Sequence, residues 1–268
     1  MLPLWLLHSL GILLGWATFL LSPTYRREYL RNAAQAGYSM GSVLTGVGHA
    51  GKMVMEIPRL WMGSPVPVIW DGAELVSEAL KARKGVIFLT PHMGCFEITA
   101  QAYASRFGEG GDPITVLYRP ARKRWMRALV EQSRSRRGMA VAPATMGGVK
   151  QLARALKSGG CVGLLPDQVP PQGMGDWANF FGRPAYTMTL PVRLQVQSHA
   201  KILLAWGERL SWWRGYVVHV RPFEEALDGN MSGALERLNA AMETLIREAP
   251  SQYLWAYSRY KQPRQTVS

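Results

Sequence analysis

Short apolar runs alternate with amphipathic segments through most of the chain. The runs at 86–89 and 161–165 are bounded by glycine and proline, which is typical of buried strands. The segments at 73–83 and 231–247 place their apolar residues at helical spacing instead. Alternating strands and helices predict an α/β fold in which helices flank a mixed, largely parallel central sheet.

The N-terminal stretch is apolar and uncharged. From Leu2 to Leu21 it contains no Asp, Glu, Lys or Arg, and a helix of this length reaches about 30 Å, the thickness of a bilayer core. Trp5 and Trp16 suit the two membrane interfaces. Basic residues follow at once, at Arg26, Arg27 and Arg31. The pattern predicts a membrane anchor at 1–22, spanning or deeply inserted, with the rest of the chain in the cytoplasm. A helix that lies in the interface is the alternative.

Two further divisions follow the anchor. Residues 23–65 are predicted to form a helical, membrane-proximal segment, although several glycines weaken helix formation there. Residues 66–268 contain the alternating strands and helices and are predicted to form one main domain. Within the anchor, Gly11 and Gly15 have the small-xxx-small spacing that allows two helices to approach closely. We interpret this pair as ordinary glycine usage in an apolar helix.

One histidine directly follows a predicted strand. His92 lies between the run at 86–89 and a helix that begins near Phe96, and ligand sites in open α/β sheets lie at such strand ends. Glu97 occupies the first turn of that helix. We expect Glu97 to accept a hydrogen bond from one ring nitrogen of His92, which would leave the other nitrogen as a general base. The alternative is a buried histidine beside an acid that favours the helix start.

Two more polar groups follow predicted strands. Arg119 comes after the run at 113–118, and Asp167 with Gln168 comes after the run at 161–165. Because the carboxyl ends of parallel strands share one edge of a sheet, we expect Arg119 and Asp167 to lie near His92.

Two segments around these groups have unusual composition. From Arg119 to Arg137 eight basic residues face one acid, Glu131, which predicts an anion-binding surface, although a solvated charged face is the alternative. Residues 169–186 are predicted to form a long loop, since proline and glycine recur there. Its aromatic residues either line a groove for an apolar ligand or, through Phe180 and Phe181, pin the loop to the core.

Composition narrows the possible partners. With 31 basic and 18 acidic residues the net charge is +13, which favours acidic partners or an anionic membrane surface. No nucleic-acid-binding motif is present, so nucleic acid is not expected as a partner. Cys95 and Cys161 are too few for a disulfide framework or a zinc-ligand pattern, and their apolar neighbours predict packed, reduced side chains. A nucleophilic Cys95 activated by His92 remains a further alternative.

Five motifs occur in a family-specific order. They are His92-x4-Glu97, VLYRP at 116–120, LLPDQ at 164–168, FFGRPA at 180–185, and PSQYLW at 250–255 with Arg259 and Lys261 after it. Each motif alone is weak, but the set in this order is specific. The chain resembles the bacterial lipid A biosynthesis acyltransferases, a branch of the His-x4-Asp/Glu lysophospholipid acyltransferase-like superfamily.

The resemblance implies an O-acyltransferase with a glycerolipid acyltransferase-like fold, and it makes 66–268 the catalytic domain. Such an enzyme moves a fatty acyl chain from a thioester of acyl-carrier protein or coenzyme A to a hydroxyl of a lipid A precursor or related membrane lipid. His92 would be the general base and Glu97 its orienting partner, without an acyl-enzyme, a metal or a cofactor. The bacterial inner membrane is the implied location.

The resemblance also implies substrate-binding roles for Arg119, Asp167, Gln168 and Arg183. Arg119, or backbone N–H groups after His92, would stabilise the oxyanion, and Arg119 is equally suited to an acceptor phosphate. The broader superfamily carries a Glu-Gly-Thr-Arg type block where this chain has Asp167-Gln168. The arginine of that block is absent here, and Arg183 is the candidate to replace it in space.

Three other functions remain open on the sequence. The acceptor of an acyltransferase of this kind is alternatively another glycolipid or a lysophospholipid. A protein of a different class would bind anionic lipid at the membrane without catalysis, and it would not need His92 with Glu97. Metal-dependent hydrolysis using His92, Glu97 and Asp167 is a third possibility.

Overall fold

The computed structural model describes residues 2–118, 137–225, 227 and 230–265. Arg119 and the basic stretch that follows it up to residue 136 lie outside these residues, so the predicted anion-binding surface is not described. The helices of the described part are α1 Leu4–Leu21, α2 Pro23–Gln35, α3 Met40–Val43, α4 Gly46–Met62, α5 Ala73–Lys81, α6 Phe96–Tyr103, α7 Met146–Lys157, α8 Leu190–Ser198 and α9 Met231–Glu248. The strands are β1 Val68–Asp71, β2 Val86–Leu89, β3 Ile114–Tyr118, β4 Met139–Pro143, β5 Cys161–Leu164, β6 Gly175–Phe180, β7 Arg183–Met188, β8 Lys201–Arg209 and β9 Tyr216–Pro222.

Seven strands form the central sheet, in the order β1-β9-β8-β2-β5-β3-β4. Every neighbouring pair is parallel except β8 with β9, which pair antiparallel across a short turn. This arrangement confirms the predicted α/β fold with a mixed, largely parallel sheet. All residues of β2 and β5 are buried, as expected of strands covered on both faces.

The sheet separates two apolar cores. Ile87 and Leu89 of β2 point to one face, where α7, α8, α9 and parts of the N-terminal helices cover them. Val86 and Phe88 point to the other face and pack against α5 and α6. Residues from the predicted anchor and membrane-proximal segments, including Phe19, Tyr29 and Val47, belong to the first core. The N-terminal helices therefore contribute side chains to the core of the domain, while the predicted boundaries at 22 and 65 remain predictions.

The segment at 169–186 was predicted to be a loop, and this prediction was wrong. Residues from Gly175 onward form the antiparallel hairpin β6–β7, whose turn holds Phe181 and Gly182, both with positive φ of 47° and 72°. Two left-handed residues are what a tight hairpin turn requires. Phe180 and Phe181 are buried in the core, so they pin the hairpin to the domain and do not line an open groove.

Helices α1 and α4 pack antiparallel along most of their length at unusually short range. A Cβ atom on Gly11 would lie 2.6 Å from the Cα atom of Lys52, and one on Gly51 would lie 2.6 Å from the backbone nitrogen of Gly15. The interpretation of Gly11 and Gly15 as ordinary glycine usage was therefore wrong. Their missing side chains allow the two backbones to touch. The sequence pattern did not show this contact, because the partner glycine, Gly51 of α4, is distant in the sequence.

We expect a methyl group at this contact to force the two helices apart. Gly51→Ala should lower the free energy of unfolding by about 1–3 kcal/mol, the usual cost of overpacking, although alanine alone favours a helix. Thermal unfolding in detergent measures the effect as a fall in Tm of several degrees. Gly147→Ala in α7 is the matched control, because its nearest neighbouring atom, Thr145 Oγ1, lies 3.7 Å away. Equal Tm values for the two variants would contradict this account.

Candidate active site

Strand register places His92 beside Asp167. β2 and β5 are parallel neighbours with Leu89 opposite Leu164, and His92 and Asp167 each lie three residues beyond that pair. The His92 ring Nδ1 is 2.7 Å from Asp167 Oδ1, and the His92 backbone N–H donates to Asp167 Oδ2 at 2.9 Å. Both carboxylate oxygens are thus used to hold one residue. The expectation that Asp167 lies near His92 is confirmed.

The Asp167 carboxylate is only 2% exposed and remains ionised. Burial alone would raise its pKa, but His92 and the nearby Arg259 hold the pKa below its ordinary value. Tyr253 faces the same carboxylate, and burial together with the Asp167 charge raises the pKa of its hydroxyl, which therefore stays neutral. An ionised acceptor on Nδ1 favours the tautomer in which Nδ1 carries the proton.

The His92 side chain retains 17% of its accessible surface, so its ring is reachable from outside. Phe96 supports the ring edge-on, with the two ring centroids 5.0 Å apart. With Nδ1 held by Asp167, the unprotonated Nε2 is the atom that can accept a proton from a ligand. The pair has the chemical form of a carboxylate-oriented general base.

Glu97 does not take the position that the sequence predicted. It lies in the first turn of α6, as expected, but its Oε2 accepts a hydrogen bond from Trp61 Nε1 of α4 at 3.2 Å. The hydrogen bond to the His92 ring that we assigned to Glu97 is made by Asp167 instead. Sequence spacing missed this partner because strand register, which pairs residues 75 positions apart, is not visible in local spacing.

Each residue from His92 to Cys95 makes a backbone hydrogen bond that holds the loop in place. Gly94 N–H donates to the Gln252 carbonyl at 2.8 Å, Cys95 N–H donates to the Gly207 carbonyl at 2.7 Å, and Met93 N–H donates to Pro91. The His92 carbonyl accepts from Leu254 N–H at 3.1 Å. These N–H groups, which the sequence suggested as oxyanion donors, already have acceptors, so that expectation fails for residues 93–95.

The remaining predicted residues are found in different settings. Gln168 is half-buried directly after Asp167. Arg183 lies with its guanidinium carbon 4.7 Å from the centre of the Tyr260 ring, and no hydrogen bond or ion pair between described residues joins it to His92 or Asp167. Arg119 lies outside the described residues, so its expected position near His92 is not tested.

Cysteine and metal chemistry find little support in the described part of the chain. Cys95 is buried, and burial raises the pKa of its thiol, so the nucleophilic thiolate is disfavoured. No group of three or more His, Cys, Asp or Glu side chains among the described residues is arranged to hold a metal ion. The donor set proposed for metal-dependent hydrolysis, which combined His92, Glu97 and Asp167, does not assemble there.

A buried charge cluster that sequence reasoning missed lies behind the His92 loop. Glu56 of α4 accepts from Arg209 Nε at 3.0 and 2.9 Å, from the Tyr216 hydroxyl at 2.9 Å, and pairs with His8 Nε2 of α1 at 3.2 Å. Arg209 also donates to the Gly94 carbonyl at 2.6 Å. The cluster therefore connects the apolar N-terminal helix to the loop that carries His92.

The charges in this cluster are mutually compensated. Burial alone would raise the pKa of Glu56, but Arg209 and the hydrogen bonds from His8 and Arg209 lower it to about 2. A buried ion pair with all its hydrogen bonds made is tolerated, whereas removal of one partner leaves the other charge desolvated and unpaired. Loss of any one charged member would therefore destabilise the fold, because its partner would remain buried without compensation. A glutamate between apolar residues of a helix was the only sequence signal.

Comparison with known proteins identifies a family for this chain. Residues 28–262 match the model of the family described as bacterial lipid A biosynthesis acyltransferase. The chain is 25% identical over 198 residues to lipid A biosynthesis acyltransferase 2 of Shigella flexneri, an alignment that covers 72% of this chain and 61% of the relative. It is 25% identical over 199 residues to the lipid A biosynthesis myristoyltransferase of Escherichia coli strain K12, covering 70% of this chain and 57% of the relative.

A third relative shows the same level of similarity. The lipid A biosynthesis palmitoleoyltransferase of Escherichia coli strain K12 is 24% identical over 192 residues, which is 71% of this chain and 60% of that protein. The alignments thus span about three fifths of the length of the curated relatives that the chain matches.

The Glu56 cluster predicts a specific response to acid. Because the folded-state pKa of Glu56 is about 2 and the ordinary value is 4.5, its contribution to stability is complete above about pH 4.5 and is lost as the pH falls toward 2. Glu56→Gln should cost about 3–5 kcal/mol at neutral pH and make the loss of stability below pH 4.5 shallower. Urea unfolding at a series of pH values measures both effects.

The control for this prediction is an exposed ion pair. Arg83, whose side chain is 70% exposed, pairs with Asp112, so Asp112→Asn should change the stability by at most about 1 kcal/mol. A Glu56→Gln variant as stable as the Asp112→Asn variant, with an unchanged acid response, would show that the buried cluster contributes little.

Proposed function

The chain belongs to the bacterial lipid A biosynthesis acyltransferase family, and we propose that it transfers a fatty acyl group from a thioester to a hydroxyl of a lipid A precursor or related membrane lipid. The observation that carries this proposal is the His92–Asp167 pair at the carboxyl edge of the sheet, with Nε2 of His92 open to a ligand. A hydroxyl is a weak nucleophile at neutral pH, and a carboxylate-oriented imidazole is the group that activates it.

The proposed reaction is a direct transfer. His92 Nε2 takes the proton from the acceptor hydroxyl as its oxygen attacks the thioester carbonyl carbon. The carbon–sulfur bond then breaks, and the leaving thiolate receives a proton from the imidazolium. Asp167 keeps Nδ1 protonated before the reaction and stabilises the positive ring during it, since it remains ionised throughout.

The proposed roles of the two acids therefore change places. Asp167, expected to bind substrate, becomes the positioning residue for His92. Glu97, expected to orient His92, holds the start of α6 against Trp61 of α4. This assignment keeps both acids in the site, and it makes different predictions for their replacement.

The substrates are proposed from charge and from the family. Acyl-carrier protein is acidic and coenzyme A carries phosphates, so either donor suits a chain with a net charge of +13. Arg119 is the proposed hydrogen-bond donor to the oxyanion or to a phosphate of the acceptor, since the backbone N–H groups of residues 93–95 already have acceptors. Gln168 and Arg183 remain proposed contacts to the acceptor.

A membrane location fits the N-terminal helix. In the part of the chain that the structure describes, α1 is the helix that is long and apolar enough to cross a membrane. We place the protein at the bacterial inner membrane with its catalytic domain on the cytoplasmic side, where Arg26, Arg27 and Arg31 follow the helix.

Separate replacement of His92, Asp167 and Glu97 tests these proposed roles. His92→Ala should lower kcat/KM for acyl transfer by about 10³-fold or more, and Asp167→Asn by at least about 10²-fold, because asparagine supports the wrong tautomer. Glu97→Gln should stay within about tenfold of the wild type, since glutamine still accepts from Trp61. Purified protein in detergent, a panel of acyl-carrier-protein and coenzyme A thioesters, and lipid A precursors provide the assay.

The outcomes separate the alternatives. A loss in Glu97→Gln as large as in His92→Ala, with Asp167→Asn nearly active, would restore the original His92–Glu97 assignment. Thioester turnover without transfer to any lipid A precursor would redirect the search to another glycolipid or a lysophospholipid. Absence of all thioester chemistry, with lipid binding intact in every variant, would favour a non-catalytic lipid-binding protein.

A further inference from the structure

Two neighbouring tryptophans project from the turn between β8 and β9. Trp212 is 80% exposed and Trp213 is 45% exposed, and together with Ser211 they form the turn that we call the tip. Large aromatic side chains are rarely left this exposed without a binding role, because each carries apolar area that water solvates poorly. The tip is therefore a candidate contact surface.

The backbone of the tip holds these side chains outward under strain. Trp212 and Trp213 have φ values of 57° and 58°, in the left-handed region that bulky residues rarely occupy. Such conformations persist where the surrounding structure fixes them, and they concentrate at functional positions. Strain and exposure thus coincide at the same two residues.

The tip is next to the apolar N-terminal helix. Helix α1 contacts it directly, and the antiparallel packing of α1 on α4 places the start of α1 beside the end of α4. Leu2, Trp5 and Met62, at these ends, are each more than half exposed. Five large apolar side chains from three chain segments therefore lie exposed at one end of the α1–α4 pair.

The outer side of α1 is apolar as well. Its inward stripe packs on α4, whereas its outward positions carry no charge and are exposed at Leu10, Leu13, Leu14, Leu20 and Leu21. A helix that is apolar on every side, but buried on only one, has the surface expected of a lipid contact. Arg59 and Arg214 lie at the end of α4 and just after the tip, where they suit anionic headgroups.

Helix α1 is held to the domain near both ends. His8 pairs with the buried Glu56, and Phe19 packs into the core with Tyr29. A helix fixed in this way lies along the domain and cannot leave it to cross a bilayer alone. This supports the alternative that α1 lies in the membrane interface.

We infer that the tip inserts into the same bilayer leaflet as the exposed side of α1, so that the protein rests on the membrane through two separate elements. A lipid surface fits this site, because the exposed tryptophans extend the apolar surface of the uncharged helix α1 and basic residues border them.

The inferred contact also orients the candidate active site. β8 runs parallel to β2, so the tip extends from the same sheet edge as His92. That edge would then face the membrane, which delivers a lipid acceptor to His92. This last consequence rests on the proposed function, whereas the membrane contact does not.

A fluorescent depth probe tests the contact. Cys95 and Cys161 are 1% and 0% exposed, so a thiol-reactive fluorophore labels an introduced cysteine selectively. Ser211→Cys places the probe at the tip and keeps both tryptophans. The full-length protein is reconstituted in vesicles of phosphatidylcholine and phosphatidylglycerol, with or without spin-labelled lipid that quenches the probe on contact. Trp177→Cys, at an exposed tryptophan of the β6–β7 hairpin, is the matched control.

Spin-labelled lipid should quench the tip probe at least several-fold more strongly than the control probe. Adding Trp212→Ser and Trp213→Ser to Ser211→Cys should bring the quenching down to the control level. Quenching at the tip no stronger than at the control would overturn the inference. A shielded tip probe that lipid does not quench would overturn it too, in favour of a contact between two copies of the chain.

The readouts also separate this inference from the proposed enzyme activity. Lipid quenching at the tip, in a protein that performs no acyl transfer, would keep the membrane contact and reject the function. Normal acyl transfer without lipid quenching at the tip would support the function and reject the membrane contact. All three variants change exposed residues only, so their circular dichroism spectra should match that of the wild type.

Discussion

The buried ion pair between Glu56 and Arg209 is the interaction on which the arrangement of this protein depends. In a medium of low dielectric constant, neither charge is tolerable alone, so the elements that carry them must come together. Glu56 belongs to α4 and receives His8 from α1, while Arg209 ends β8 and holds the Gly94 carbonyl of the His92 loop. The N-terminal helices are consequently part of the framework of the site.

Strand register supplies the second constraint. Once β2 and β5 pair in parallel, His92 and Asp167 lie opposite each other, so their contact does not depend on the conformation of a long loop. A site built on adjacent strand ends is more rigid than one built on a long loop, which matters for the proposed role of His92, because a general base must meet its hydroxyl within hydrogen-bond distance. The Gln252 carbonyl, which accepts from Gly94 N–H, and the Leu254 N–H, which donates to the His92 carbonyl, fix the loop from the other side.

Local patterns in the sequence were sufficient for much of the fold. The bounds of β2 and the helix that starts at Phe96 follow from apolar runs and breakers, and the structure confirms them. Two of the failures depend on distant partners. The fit of Gly11 against Lys52 and the choice of Asp167 over Glu97 are each decided by a segment remote in the chain, which periodicity does not report. The β6–β7 hairpin is local instead, and it was missed because the prolines and glycines around it predicted a loop.

The bonds that fix the His92 loop also set an order of events during synthesis. His92 leaves the ribosome well before Gln252 and Leu254, whose backbones hold Gly94 and His92 and which are translated about 160 residues later. Until these residues are made, the loop after His92 lacks their hydrogen bonds, while the apolar helix α1, which is translated before the loop, is already outside the ribosome. A nascent chain at this stage exposes an apolar helix beside an incomplete loop, so contact between α1 and a membrane would also protect the unfinished protein against aggregation.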